Sequence, residues 1–275
     1  MSQKPTDRAN WTAGLPMYDL PEIRGATDAW WAGIARHLRA GGLTGVPDKL
    51  TRADTLRDVW DDPDLLVGQG CGYPFTHAYA GRWQYLATPV YAVPGCDGPA
   101  YRSWLIVREG ASSRCVEDLS GATAAANAAD SHSGWIALRA ALADRGMAPD
   151  RALSGIVWTG GHRASVRAVA EGRADVAAVD CVTHALLAAH APDALAGTRV
   201  LAATPSAPGL PLVAGRHVDR ATRARVRAAL WAALGDPDLR HCRRVLRIGG
   251  LRVLPKRAYA RIRDLAAAGD AAAVP

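Results

Sequence analysis

Apolar and polar positions divide this chain into short extended runs, each followed by a stretch with helical spacing. The clearest case spans Gly155 to Ala189. The apolar run Gly155 to Trp158 stops at Gly160-Gly161, and Val166, Val169 and Ala170 then share one helical face until Gly172 breaks the period. A second apolar run, Val176 to Val179, ends in Asp180, and another helical stretch follows from Cys181 to Ala189. Two parallel strands joined by one helix put His162 and Asp180 at the same edge of a sheet. Open α/β sheets bind ligands at that edge.

The same pattern predicts the remaining elements. Gly14 to Met17 reads as a first strand with Tyr18 just past its end. A helix with Thr27 as N-cap follows, its Trp30, Ile34 and Leu38 on one face, closed by Gly41-Gly42. Val46 to Leu50, Asp54 to Trp60 and Leu65 to Gly68 read as strand, helix and strand, with Tyr73 in the turn beyond. Extended runs at Tyr85 to Val93 and Tyr101 to Val107 flank a turn rich in Gly and Pro, expected to lead from a first domain to a second. Within the second, a strand at Ala122 to Ala126 leads through residues 127–134 into a helix striped by Trp135, Leu138 and Leu142. The chain is extended again at Thr198 to Thr204 and Leu210 to Ala214. Helices at Asp219 to Leu234, with Val226, Leu230 and Leu234 on one side, and at Lys256 to Ala268 close it. A tail of helices without a sheet of its own needs a surface to pack on. Lobe 1 is therefore expected at residues 1–100 plus 205–275 and lobe 2 at 101–204, with a cleft between them. No internal repeat is evident.

Composition limits what the strand-end edge can bind. The 275 residues are 49% hydrophobic and 21% charged, enough for two modest cores. A net charge of +7 suits an anionic ligand, but 33 Lys and Arg against 26 Asp and Glu is a mild excess. No basic run tracks a nucleic-acid backbone, so nucleic acid is not expected as a partner. The five cysteines contain no Cys-x-x-Cys pair, and His184 and His190 lack metal-ligand spacing, so neither metal nor cofactor is expected. Cys71 and Cys96 both sit in Gly-rich turns and can meet, while Cys181 reads as a core thiol. Met1 to Asn10 lacks the apolar stretch of a secretory signal, and no run is long enough to span a membrane. The sequence as given therefore reads as cytoplasmic, and as periplasmic or extracellular only if an export segment has been removed.

Helix starts leave backbone N–H groups unpaired and carry partial positive charge, so an oxyanion can be held between two of them without a Lys or Arg. Ser131, His132 and Ser133 open one such helix, and Gly160, Gly161 and His162 open another from the next strand. Each of these residues has two readings: Ser131, Ser133, His162 and Asp180 as plain N-caps or as ligand contacts, and Tyr18 and Tyr73 as half-buried packing or as contacts at a strand end. No nucleophile with a positioned base is legible, because Asp130, Ser131 and His132 are neighbours in sequence and adjacency does not make a triad.

Thr159-Gly160-Gly161-His162, Ala168-Val169, and Gly172-x-Ala174-Asp175-Val176-Ala177 through to Asp180 together resemble the signature of the phosphate, phosphite and phosphonate substrate-binding components of ABC importers. Tyr101-Arg102-Ser103, Asp118-Leu119-x-Gly121, Asp130-Ser131-His132-Ser133-Gly134 and Leu210-Pro211-Leu212-Val213 add to the likeness, which covers roughly Tyr73 to Val213. The resemblance implies a type 2 periplasmic-binding-protein clamshell of the α/β class: two doubly wound mixed sheets joined by two extended hinge crossings. It implies a phosphonate or phosphate ester bound by Ser131, Ser133 and His162, with Tyr18 and Tyr73 closing from the first lobe. Asp180 would face an ammonium or hydroxyl on the ligand, and an ABC permease would be the protein partner. Family members usually carry a small hydroxyl residue where this chain has His132, and those that bind aminophosphonates carry an acidic residue where it has Leu210. Two other readings stay open: a cytoplasmic enzyme on the same clamshell acting on a small acidic metabolite, and a ligand sensor passing its state to a protein partner through the tail helices.

Overall fold

Two five-stranded mixed sheets carry the fold of the computed structural model, which describes residues 10–271. Each sheet is the centre of one compact unit. The first unit takes the chain up to Cys71, then Ala78–Tyr91 and Leu210–Leu254; the second takes Gly72–His77, Ala92–Gly209 and the chain from Pro255 onward.

In the first unit the strands are β1 (Thr12–Gly14), β2 (Leu65–Gln69), β3 (Gln84–Tyr91), β11 (Leu212–Ala214) and β12 (Ile248–Arg252), in the order β1-β2-β11-β3-β12. Every residue of β2 is buried, as suits a strand covered on both faces. Helix α1 (Arg24–Ala40) buries Thr27, Trp30, Trp31, Ile34, Ala35 and Leu38, a single stripe at helical spacing. Each of the large apolar members contributes about 1.5–3 kcal/mol relative to leaving it exposed. Helices α2 (Leu56–Trp60), α8 (Arg220–Gly235) and α9 (Arg240–Val245) complete the unit.

Four sequence expectations change here. The first strand is Thr12–Gly14, and Pro16 instead opens a 3-10 turn that ends at Tyr18. Helix α1 starts at Arg24, before the expected cap Thr27. Residues 46–50 do not form a strand. The chain runs beside residues 11–13, bonded from Trp11 N–H to Gly45 O (3.3 Å) and from Thr51 N–H to Ala13 O (2.7 Å), and Pro47 between these bonds has no N–H to give. Finally, the tail is not all helix, because Ile248–Arg252 adds β12 to the edge of this sheet. Its two glycines and terminal arginine hide the alternation that marks a strand.

The second sheet has the order β7-β6-β8-β5-β9, from β5 (Ser103–Arg108), β6 (Ala122–Ala126), β7 (Leu153–Trp158), β8 (Val176–Asp180) and β9 (Thr198–Ala203). β6, β7 and β8 are mutually parallel, and β5 runs against β8 and β9. A two-stranded antiparallel pair, β4 (Ala100–Tyr101) with β10 (Ala207–Pro208), lies where the chain enters and leaves this unit. Its helices are α3 (Gly72–Thr76), α4 (Ala137–Ala143), α5 (Pro149–Ala152), α6 (His162–Ala170), α7 (Cys181–His190) and α10 (Ala260–Ala271).

The last helix, expected with the first lobe, packs on α4 in the second unit. Arg139 explains why. It is a buried residue of α4 that ion-pairs with Asp150 and reaches Asp270 at 3.0 Å and Gly269 O at 3.2 Å, while its guanidinium lies over the Trp135 ring. Tyr259 adds a hydrogen bond to Gly209 O at 2.8 Å and an edge contact with Phe75, which holds α3 in the same unit. No described helix is long and apolar enough to cross a membrane.

Candidate functional site

The three parallel strands of the second sheet end side by side, so the residues that follow them share one edge. Ser131, His132 and Ser133 come after β6, His162 comes after β7, and β8 ends in Asp180. β5 runs the other way, which sets its first residue, Ser103, opposite Asp180. Ser103 Oγ donates to the Ser133 carbonyl at 2.9 Å, and its own N–H donates to Thr204 Oγ1 at 2.9 Å.

Ser131 caps one turn of π-helix, His132–Ile136, that runs directly into α4. Its hydroxyl accepts from Gly134 N–H at 3.1 Å, and its carbonyl accepts from the N–H groups of both Trp135 and Ile136 at 3.1 Å. Such wide turns are rare and concentrate at functional sites. Gly134 is required by close approach, since a Cβ there would lie 2.5 Å from Asn127 Oδ1. The cap uses the Gly134 amide and leaves Ser133 N–H without an intrahelical partner.

Helix α6 begins at His162 behind Gly161, an N-cap residue with no side chain, so its first-turn N–H groups have no side-chain cap. The end of β7 is tied to that of β6 by Thr159 N–H to Ala126 O and Gly160 N–H to Asn127 O, both at 2.9 Å. Thr159 Oγ1 also meets Ser165 Oγ of α6 at 2.7 Å. This lacing brings the two helix starts together, and Ser133 Oγ lies 2.9 Å from His162 Nε2.

Burial pushes both histidines down, His132 to about 4 and His162 to about 4 with the Ala178 carbonyl opposing it. His132 is almost wholly enclosed, and His162 is half-buried. At neutral pH both rings are uncharged. Ser133 and His162 do not form a hydrolytic dyad with an orienting acid: among the described residues no carboxylate partners the His162 ring. Asp180 is buried, and its Oδ1 accepts from the N–H groups of Val182 at 2.7 Å and Thr183 at 3.1 Å, capping α7.

The two tyrosines part company. Tyr73, expected in the first lobe, lies on α3 in the second unit, stacked on His77 with centroids 3.8 Å apart and packed against that unit's core; α3 also touches the π-helical turn. Tyr18 belongs to the first unit, buried with its edge against Tyr91 at 5.0 Å. The Tyr91 hydroxyl accepts from Gln69 Nε2 at 2.9 Å, and these residues with Trp30 and Leu212 line a cavity inside that unit. Ser103 is the site residue that sequence reasoning did not single out. It is set by an antiparallel register between strands more than seventy positions apart, for which the sequence carries no local signal. Among the described residues, no cluster of His, Cys, Asp and Glu is disposed to hold a metal ion.

A comparison with curated proteins finds no match. Among solved structures, the chain is similar to a binding-protein component of an ABC phosphonate transporter from Pseudomonas aeruginosa (TM-score 0.77, 16% identity, 96% of this chain and 88% of that one). It is also similar to PhnD1 from Prochlorococcus marinus in complex with methylphosphonate (TM-score 0.75, 12% identity, 97% and 99%). XAC2383 from Xanthomonas citri bound to chloride ion aligns as well (TM-score 0.73, 17% identity, 96% and 99%). At these identities the likeness establishes the fold, that of the two-lobed type 2 periplasmic binding proteins. Residues 64–259, well over half of the chain and including every element of the strand-end site, match the family model described as ABC transporter, phosphonate, periplasmic substrate-binding protein, and the chain belongs to that family.

Proposed function

We propose that the chain binds a small solute through its phosphonate or phosphate-ester group, at the strand-end edge of the second unit, for delivery to an ABC permease. The observation that carries this reading is the 2.9 Å contact between Ser133 Oγ and His162 Nε2, which joins two helix starts, one of them lacking any side-chain cap. Ser131 Oγ already accepts from Gly134, so its hydroxyl proton remains to donate outward. In the tautomer with a proton on Nε2, His162 donates to Ser133 Oγ and frees the Ser133 hydroxyl proton for the ligand in the same way. Two hydroxyls, the Ser133 amide and the first-turn amides of α6 then converge from several directions. That arrangement suits a tetrahedral oxyanion better than a flat carboxylate. Asp180 supplies a buried acidic group beside Ser103 for a cationic or hydroxylated part of the same solute. Tyr73 is the aromatic neighbour within this unit; Tyr18 takes part only through the family's two-lobed plan.

A thermal-shift panel tests the ligand class. Methylphosphonate, phosphate and phosphite are compared with methanesulfonate and acetate at neutral pH. A phosphorus oxyanion at a hundredfold excess over its Kd is expected to raise Tm by roughly 5–10 °C. A shift with acetate and none with any phosphorus oxyanion would contradict the proposal.

A further inference from the structure

The turn through which the chain enters the second unit brings two thiols into contact. Cys96 Sγ and Cys181 Sγ lie 3.6 Å apart although 85 positions separate them. Both belong to the second unit; Cys181 is buried directly after Asp180, and Cys96 remains partly exposed. Cys71, the partner suggested by its Gly-rich turn, belongs to the first unit.

The approach of the two thiols is built into the backbone on both sides. Gly95 has φ +93°, and a Cβ there would come 2.8 Å from Cys181 Cβ and 2.8 Å from the Trp104 ring, so only glycine lets the turn press this closely. Hydrogen bonds brace the turn, from Cys96 N–H to Val93 O at 3.2 Å and between Asp97 and Ala100 in both directions at 3.0 Å. On the other side, Cys181 N–H donates to Arg102 O at 3.1 Å, which ties the start of α7 to the strand that the turn feeds.

We propose that Cys96 and Cys181 are a disulfide-forming pair, closed by thiol–disulfide exchange in the oxidising periplasm where this family works, so that the turn is cross-linked to the helix that Asp180 caps. The inference does not depend on which ligand binds. The partly exposed Cys96 reacts first: as thiolate it attacks one sulfur of a disulfide oxidant, such as oxidised glutathione, to give a mixed disulfide and release one thiol. Cys181 then loses its proton and attacks Cys96 Sγ, expelling the second thiol. Two protein thiols become one disulfide and one oxidant disulfide becomes two thiols, which carry away the two protons. The second step is the slow one: in the dithiol form the hydrogen bond with Cys96, burial and the nearby charge of Asp180 all push the Cys181 thiol up, and burial and Asp180 still hold it protonated once Cys96 is in the mixed disulfide. Cross-linking a loop of this length restrains the unfolded chain and stabilises the fold.

The test incubates the full chain with oxidised glutathione and counts thiols under denaturing conditions. The expected result is three of the five thiols remaining, a disulfide-linked peptide pair containing Cys96 and Cys181 on non-reducing digestion, and a Tm higher than that of the reduced protein by on the order of 10 °C. Cys96→Ser, a change in a partly exposed turn, is expected to lose the Tm difference between oxidised and reduced samples; Cys115→Ser, at an exposed position, is expected to keep it. Five thiols remaining, glutathione retained on Cys96 without closure, or linkage of Cys96 to any other cysteine would each overturn the proposal.

Discussion

Ser133 Oγ and His162 Nε2 meet at 2.9 Å, although one residue follows β6 and the other opens the helix after β7. This contact joins two helix starts that would otherwise be separate positive ends. His162→Ala removes the ring that meets the Ser133 hydroxyl and is expected to weaken binding of methylphosphonate by about two- to tenfold, at about 0.5–1.5 kcal/mol for the one hydrogen bond lost. His162→Gln retains a side-chain amide and is expected to recover part of the loss. Equal affinities for the two variants and the parent, by calorimetric titration, would remove His162 from the site.

Asp180 carries two roles that one substitution separates. Asn caps a helix about as well as Asp, so Asp180→Asn is expected to change stability by less than about 0.5 kcal/mol. Removal of the charge is expected to lower the preference for phosphonates bearing an ammonium over those without one. An unchanged rank order of ligands would leave Asp180 as a cap alone.

The buried imidazoles give the fold an acid limit. His132 has its pKa lowered from 6.5 to about 4 by burial, so the unfolded chain takes up the proton first as pH falls. Stability from this source is complete above pH 6.5, declines between 6.5 and about 4, and is lost below that, by on the order of a few kcal/mol. His162 acts in the same direction. Denaturant unfolding at a series of pH values is expected to show this slope, reduced in His132→Asn. An identical slope in that variant would contradict the assignment.

Arg139 is expected to hold α10 in place. Arg139→Ala strands no buried carboxylate, because Asp150 and Asp270 are themselves exposed, but it removes the bond to Gly269 O and the stacking on Trp135. A loss of about 1–3 kcal/mol is expected, with faster amide exchange concentrated in 260–271. Uniform exchange across the chain would show that the helix is held by other contacts.

Much of the second unit was legible because its strands are short apolar runs closed by glycine or aspartate, as at Val176 to Asp180, and its helices carry clean stripes, as at Trp135, Leu138 and Leu142. The first unit was less so. Pro47, with no N–H to give, left an apparent strand without a ladder, and Gly249-Gly250 concealed a real one. The placement of α10 rests on contacts distant along the chain, among them Arg139 reaching 130 residues to Gly269 and Tyr259 bonding to Gly209, and the role of Ser103 depends on strand register. Neither leaves a trace in local periodicity.

The central claim is that the helix starts at Ser131–Ser133 and at His162 hold the oxyanion. Titration calorimetry of the double variant Ser131→Ala, Ser133→Ala with methylphosphonate tests it most directly, with circular dichroism and Tm confirming the fold. Affinity is expected to fall several-fold to about a hundredfold; affinity equal to that of the parent, in a folded variant, would contradict the claim.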